Sequence, residues 1–236
     1  MNPRTEVVGI DCLLLRLFDT IEEENMPWLL AAVERIREVF GPALIDLVPS
    51  YTTVMVQYDL VQLSAAEARK ALSAATDGLT PVQSGAGRMH EVPVWYDPSV
   101  GPELAYVAKR ADMDVQEVIR RHHEHDYYVF ALGFAPGFAF MGLVDAKLAT
   151  PRLNTPRKRI AAGSVAIAER QTAAYPVVSP GGWNILGRTP TTLFTTADGS
   201  LLLPGDKVRF MPVDHATFIA LGGDDTPLPP VMGDSA

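Results

Sequence analysis

The chain has 236 residues, enough for one large domain or two small ones with a real core. Its hydrophobic fraction of 47% and charged fraction of 20% are those of an ordinary globular protein. A formal net charge of −8 argues against the basic footprint that nonspecific nucleic-acid binding requires, so no nucleic-acid partner is expected.

Cys12, the single cysteine, cannot form an internal disulfide, and its CLLLRLF surroundings predict a buried, inert thiol in a reducing compartment. Residues 1–20 lack the basic, apolar and small-residue order of a secretory leader. No window reaches the roughly 18 apolar residues of a membrane span. The expectation is a soluble, cytoplasmic protein without a membrane partner.

Residues 6–18 read as a strand. Thr20 with Glu23 forms a candidate capping box, and Leu29, Val33, Ile36 and Phe40 recur at helical spacing before Gly41-Pro42 stops the helix. Residues 43–48 and 52–58 read as two strands. Ser64 with Glu67 caps a helix that carries Ala68, Leu72 and Ala75 on one face, and residues 89–95 read as a further strand. The alternation predicts an α+β sandwich of ferredoxin-like type over residues 1–90, ending near the linker-like Gly85-Ala86-Gly87.

The second domain is placed at residues 91–221 as a mainly-β barrel with entering helices. Pro102 opens one helix over 102–111, and Asp114 with Glu117 opens the next, with Val115, Val118, Ile119 and His122 on one face. Residues 127–132 turn to strand character. TTLFTT, LLLPGDKVRFMPV and HATFIAL read as short strands of an antiparallel sheet or small barrel, the middle one interrupted at Pro204-Gly205-Asp206. Residues 222–236 read as a disordered tail.

Between these elements, residues 133–190 concentrate Gly, Pro, Arg and aromatic side chains. Such a stretch predicts ordered loops and short strands around a binding surface. His122 and His125, one turn apart with Asp126 beside them, could ligate a metal, act at a substrate site or interface, or serve structurally, a helix C-terminus favouring histidine. The structural role is the plainest reading, and no metal site is assigned. Arg152, Arg157, Lys158 and Arg159 stand between stiffening prolines in an acidic chain, where a guanidinium fork would match a carboxylate or phosphate. A solvated loop is the alternative. Ser164, Ser179 and Tyr175 offer hydroxyls, but no GxSxG elbow is present and spacing assigns them no acid–base partner. Trp183, delivered by Pro180-Gly181-Gly182, either packs the barrel or lines the groove. No Walker loop and no strand-to-helix GxGxxG occurs.

The segments LGFAPGFAFMG, LATPR, TPR, AGSVAIAERQT, YP and SPGGWNILGRTP, in this order, resemble the family of the 5-oxoprolinase B subunit, also known as allophanate hydrolase subunit 1 and as a sporulation-kinase inhibitor. The resemblance runs through nearly the whole chain and is strongest over residues 130–190. It implies a small α+β domain followed by a cyclophilin-like barrel. The implied partner is a companion of the 5-oxoprolinase C-subunit or allophanate hydrolase subunit 2 type, of carboxyltransferase character. It also implies a third protein of the 5-oxoprolinase A-subunit type, and opening of 5-oxoproline to glutamate driven by ATP hydrolysis in the complex. The alternatives it carries are a component that processes allophanate or urea, and a non-enzymatic histidine-kinase inhibitor.

The positions matching the family groove include Phe134, Pro136, Phe138, Arg152, Arg157 and Ser164. Further along are Gln171, Tyr175, Ser179, Gly181, Gly182, Trp183 and Arg188, with His122 matching the histidine that ends the helix and Arg159 completing the basic run. The chain departs from the family pattern at Ala161, Ala166, Glu169 and Ala173, where a proline and three glycines are usual.

Overall fold

The computed structural model describes residues 2–82 and 87–229. Two compact units divide the chain, Met1–Ala86 and Gly87–Ala236. Of the expected linker, Gly85 and Ala86 lie outside the described residues.

In the first unit, the apolar run expected to be one strand is two. Amides of Val8 and Gly9 donate to the Cys12 carbonyl, at 3.1 and 3.3 Å. The turn folds β1 (Arg4–Val7) back on β2 (Cys12–Arg16). Helix α1 (Met26–Phe40) follows, then β3 (Leu44–Ser50), β4 (Thr53–Tyr58) and α2 (Ala65–Thr76). The sheet is antiparallel in the order β1-β2-β4-β3. Alternation along β2 sends Leu13 and Leu15 into the core and leaves Cys12 half-buried rather than buried. Burial, with a contact to Asp11, raises the Cys12 thiol pKa, so it stays protonated.

Ser64 and Glu67 form the expected capping box. Thr20 and Glu23 do not: the Thr20 hydroxyl turns to Glu22, while Asn25 stands at the N-cap of α1 with Pro27 in its first turn. The strand expected to close a ferredoxin-like sandwich, at 89–95, is absent from this sheet. β1 takes the edge beside β2 instead.

That strand, β5 (Met89–Val94), belongs to the second unit. After it come α3 (Leu104–Arg110), α4 (Val115–His123), β6 (Asp126–Leu132), β7 (Ala139–Gly142), β8 (Arg157–Ile160) and β9 (Ser164–Ala168). The chain continues through β10 (Gln171–Ala174), β11 (Ser179–Gly181), β12 (Asn184–Arg188), β13 (Phe194–Thr195), β14 (Gly199–Ser200), β15 (Lys207–Pro212) and α5 (His215–Ala220). Seven strands form one sheet in the order β12-β9-β10-β7-β6-β15-β5. Its two ends meet just beyond β5: the Trp95 and Arg188 backbones exchange two hydrogen bonds of 2.9 Å, which nearly closes the sheet into a barrel. Val92, Val129, Met141, Val165, Ile167, Leu186 and Phe210 share one buried cluster with Val107 of α3 and Val118 of α4.

Three details differ from expectation. β15 pairs in parallel with β5, so the sheet is not wholly antiparallel. HATFIAL is helical, because Asp214 caps it by accepting the Thr217 amide at 2.8 Å and Phe218 is buried one turn in. The segment expected to be an unstructured tail is held over its described part: the Leu228 amide donates to the Ser99 carbonyl at 2.8 Å, and Arg188 binds two of its carbonyls.

Candidate functional site

Strands β9 and β10 are buried on both faces. Val165 and Ile167 face the main core, while Ala166, Ala168 and Ala173 join a second cluster with Phe138, Ile160, Tyr175, Trp183 and Ile185. Phe138 is the hub of that cluster. Its ring makes edge contacts with Phe134, Phe140, Tyr175 and Trp183 at centroid distances of 5.2, 4.9, 5.2 and 5.7 Å.

Phe134 stands at the rim, 62% exposed and at φ +68°, a left-handed conformation that a bulky side chain resists. The turn that sets it there runs to Phe138, whose amide donates to Ala135 and whose carbonyl accepts from Gly133. Pro136 is exposed at its tip. Beside this ledge Arg152 lies over the Trp183 ring, 5.9 Å from its centroid. Gly181 is needed by close approach: a Cβ there would stand 2.3 Å from the Tyr175 hydroxyl. Gly182 accepts from the Leu153 amide at 2.7 Å, holding the Arg152 loop against the Trp183 turn. The Tyr175 hydroxyl, hydrogen-bonded by the Trp183 amide, is pushed up to about 12 by burial and stays protonated at neutral pH.

A second feature adjoins the ledge. Arg157, Lys158, Arg159 and Arg188 line a groove of about 540 Å³ whose other wall includes Asp224, Thr226, Leu228 and Pro229. Arg157 is 7% exposed and Arg188 1%. Arg157 Nη2 donates to Glu103 Oε1 at 2.5 Å, and the other oxygen of Glu103 accepts the Ile185 amide at 2.9 Å. Arg188 Nη1 donates to the carbonyls of Asp224 and Thr226 at 2.6 and 2.8 Å. Burial lowers the Arg188 pKa.

The expected site residues therefore divide. Phe134, Phe138, Tyr175, Trp183 and Arg152 make the ledge with Gly181 and Gly182. Arg157, Arg159 and Arg188 line the groove. Ser179 and Gln171 are half-buried on β11 and β10.

Ser164 and His122 are fully buried, away from any surface a ligand could reach. His122 Nε2 lies 2.9 Å from Thr172 Oγ1, and Nδ1 lies 2.7 Å from the Tyr96 hydroxyl. Because the Thr172 hydroxyl donates to the Ala166 carbonyl, it accepts from Nε2, so Tyr96 donates to Nδ1. The imidazole is neutral, its pKa lowered to about 3 by burial and by His123. Among the described residues no three His, Cys, Asp or Glu side chains gather as a metal-binding set. None of their helices is long and apolar enough to cross a membrane.

Residues 3–203 match the carboxyltransferase domain, subdomains C and D. The chain belongs to this family. Among carboxyltransferase-domain relatives, the 5-oxoprolinase B subunit of Bacillus subtilis is 34% identical over 227 residues, covering 91% of this chain and 95% of that protein. The crystal structure of TTHA0988 is 35% identical with a TM-score of 0.75, over 93% of this chain and 41% of that one, so this chain spans about two-fifths of its length. The Kluyveromyces lactis urea amidolyase, at 17% identity and a TM-score of 0.76 over 95% of this chain and 16% of that one, shares the fold.

Two features of this carboxyltransferase domain escape sequence reading. Glu103 reads as a helix-start acid, yet its side chain caps nothing and reaches Arg157 instead. Asp206 reads as a turn residue, yet it accepts from the Arg88 and Leu203 amides and meets His90 at 3.0 Å. No local pattern signals the pairing of Glu103 with Arg157 or of Asp206 with Arg88 and His90, because barrel topology sets those partners.

Proposed function

We propose that this chain is the B-type component of a heteromeric 5-oxoprolinase, which opens 5-oxoproline to glutamate at the expense of ATP. The ledge around Phe134 and Trp183 is its half of a site completed by a companion protein of carboxyltransferase type. One observation carries the reading: Phe134 is 62% exposed and held at a strained backbone angle at the rim, its ring against the buried Phe138. A surface of this kind is built to be covered. The similarity to 5-oxoprolinase B subunits supports the choice of reaction.

In this reading Arg152 meets the substrate carboxylate, and backbone amides of the glycine-rich turns orient a carbonyl as charge develops on its oxygen. ATP is in this reading used by the complex as a whole; this chain carries no Walker loop.

Reconstitution with the C-type and A-type companions tests the proposal. The complex is expected to convert 5-oxoproline with ATP, the isolated chain is not, and Phe134→Ala lowers the complex's rate. Turnover of allophanate or urea in place of 5-oxoproline would redirect the reading.

A further inference from the structure

The groove beside the ledge contains an unused cation fork. Arg188 spends only Nη1, on the carbonyls of Asp224 and Thr226. Its Nε and Nη2 are buried and have no hydrogen-bond partner among the described residues. These two nitrogens form the side of a guanidinium that grips a carboxylate with two parallel bonds. The same chain shows the completed arrangement elsewhere: Arg209 Nε and Nη2 donate to the two oxygens of Asp126 at 2.6 and 2.8 Å.

The charge around Arg188 is also incomplete. Arg157 is balanced by the buried Glu103. Among the described residues Arg188 meets one carboxylate within 4 Å, that of Asp224 at 3.9 Å and 67% exposed, with Asp225 acting on it from further off. Lys158 and Arg159 add further positive charge to the groove wall, while Ala161, Ala162, Val178 and Leu228 make much of the remainder apolar. An apolar slot with one free planar fork suits a small organic carboxylate better than a heavily hydrated phosphate.

Solvent does not reach the free nitrogens, so a ligand can reach them only when their cover lifts. The cover at hand is the C-terminal segment 224–229. It has no regular secondary structure and is held by the Arg188 contacts, the Leu228 amide bond to Ser99, and the Leu228 side chain against the aromatic cluster.

We propose that the free Nε and Nη2 of Arg188 bind the carboxylate of a small organic acid, and that residues 224–229 form a strap, held on Nη1, that covers them until the acid displaces it. The site stands independently of the 5-oxoprolinase reading.

Hydrogen exchange of residues 224–229 in the full chain, measured with acetate, 5-oxoproline, inorganic phosphate or chloride at matched ionic strength, tests this. A carboxylate is expected to speed exchange at the Leu228 amide on the order of tenfold, as for a segment released to local opening. Arg188→Gln and Arg188→Lys should abolish the response, since neither offers the fork. Leu228→Ser, which loosens the strap and leaves the arginine intact, should tighten acetate binding severalfold, so the proposal survives a failure of the Arg188 variants to fold. A response to acetate with none to 5-oxoproline supports the site and bears only on which acids fit it. Exchange that is unchanged or slowed by both carboxylates, or speeded equally by chloride or phosphate, would overturn the proposal.

Discussion

Glu103 and Arg157 lie 54 positions apart, and meet as a buried ion pair at 2.5 Å while Glu103 also accepts the Ile185 amide. The pair ties the entry of α3 to β8 and β12. Removing one partner leaves a charge buried alone, which costs about 3–5 kcal/mol. Glu103→Gln is expected to lower stability in a denaturant titration by that order. Adding Arg157→Met should recover part of the loss, and the double-mutant cycle isolates the coupling.

Ala166 and Ala173 face each other across β9 and β10 with no exposed surface, in one buried cluster with Phe138 and Trp183. Both stand where the family pattern has glycine. The two methyl groups fill the bed under the ledge. Either residue changed to Gly should cost about 0.5–1 kcal/mol through backbone freedom, and more with the lost packing. Either changed to Leu should overpack the bed at about 1–3 kcal/mol. Thermal unfolding of the single variants checks both signs.

Glu169 sits in the tight connection between β9 and β10 at φ +50°, a region that favours glycine. Glu169→Gly is expected to raise Tm by about 2–4 °C, the shift that about 1 kcal/mol produces in a chain of this size. An unchanged or lower Tm would show that the turn bears no strain.

The buried neutral His122 makes stability depend on acid. Its folded pKa of about 3 lies below the ordinary 6.5, so the neutral form is the one the fold holds. The stabilisation is complete above pH 6.5 and is lost as pH falls through the window down to about 3, at up to about 1.4 kcal/mol per pH unit for one proton. Tyr96, Tyr127, Thr172 and Phe210 face the ring and none is charged at these pH values, while His123 adds positive charge nearby. His122→Phe should flatten this part of the stability profile in urea titrations between pH 7 and pH 4.

The fold was legible where the signal was local. The Ser64 and Asp114 caps, the apolar faces of α2 and α4, and the Gly41-Pro42 stop all lie within one or two turns of the residues they govern. The turn that splits β1 from β2 was missed because Gly9 alone punctuates an apolar run. The α5 helix was missed because six residues rich in β-branched and aromatic side chains read as strand, and only the Asp214 cap argued otherwise. Long-range placements were not legible. The departure of β5 to another sheet, the burial of His122 between Tyr96 and Thr172, and the capture of Arg188 by a segment 36 positions later all depend on barrel closure. The aromatic and arginine residues of the site were recognisable by type and order. Their division between an exposed ledge and a covered groove was not.

Phe134 and its aromatic bed are proposed as half of a shared site. The most direct test of that role is the rate of 5-oxoproline opening by the complex reconstituted with wild-type or Phe134→Ala chain, with thermal unfolding of each chain measured alongside. No turnover is expected from the isolated chain, turnover is expected from the wild-type complex, and Phe134→Ala should lower it by at least about tenfold, equivalent to ~1.4 kcal/mol of lost transition-state stabilisation, at unchanged or raised stability of the chain. Turnover by the isolated chain, or full activity of the Phe134→Ala complex, would contradict that role.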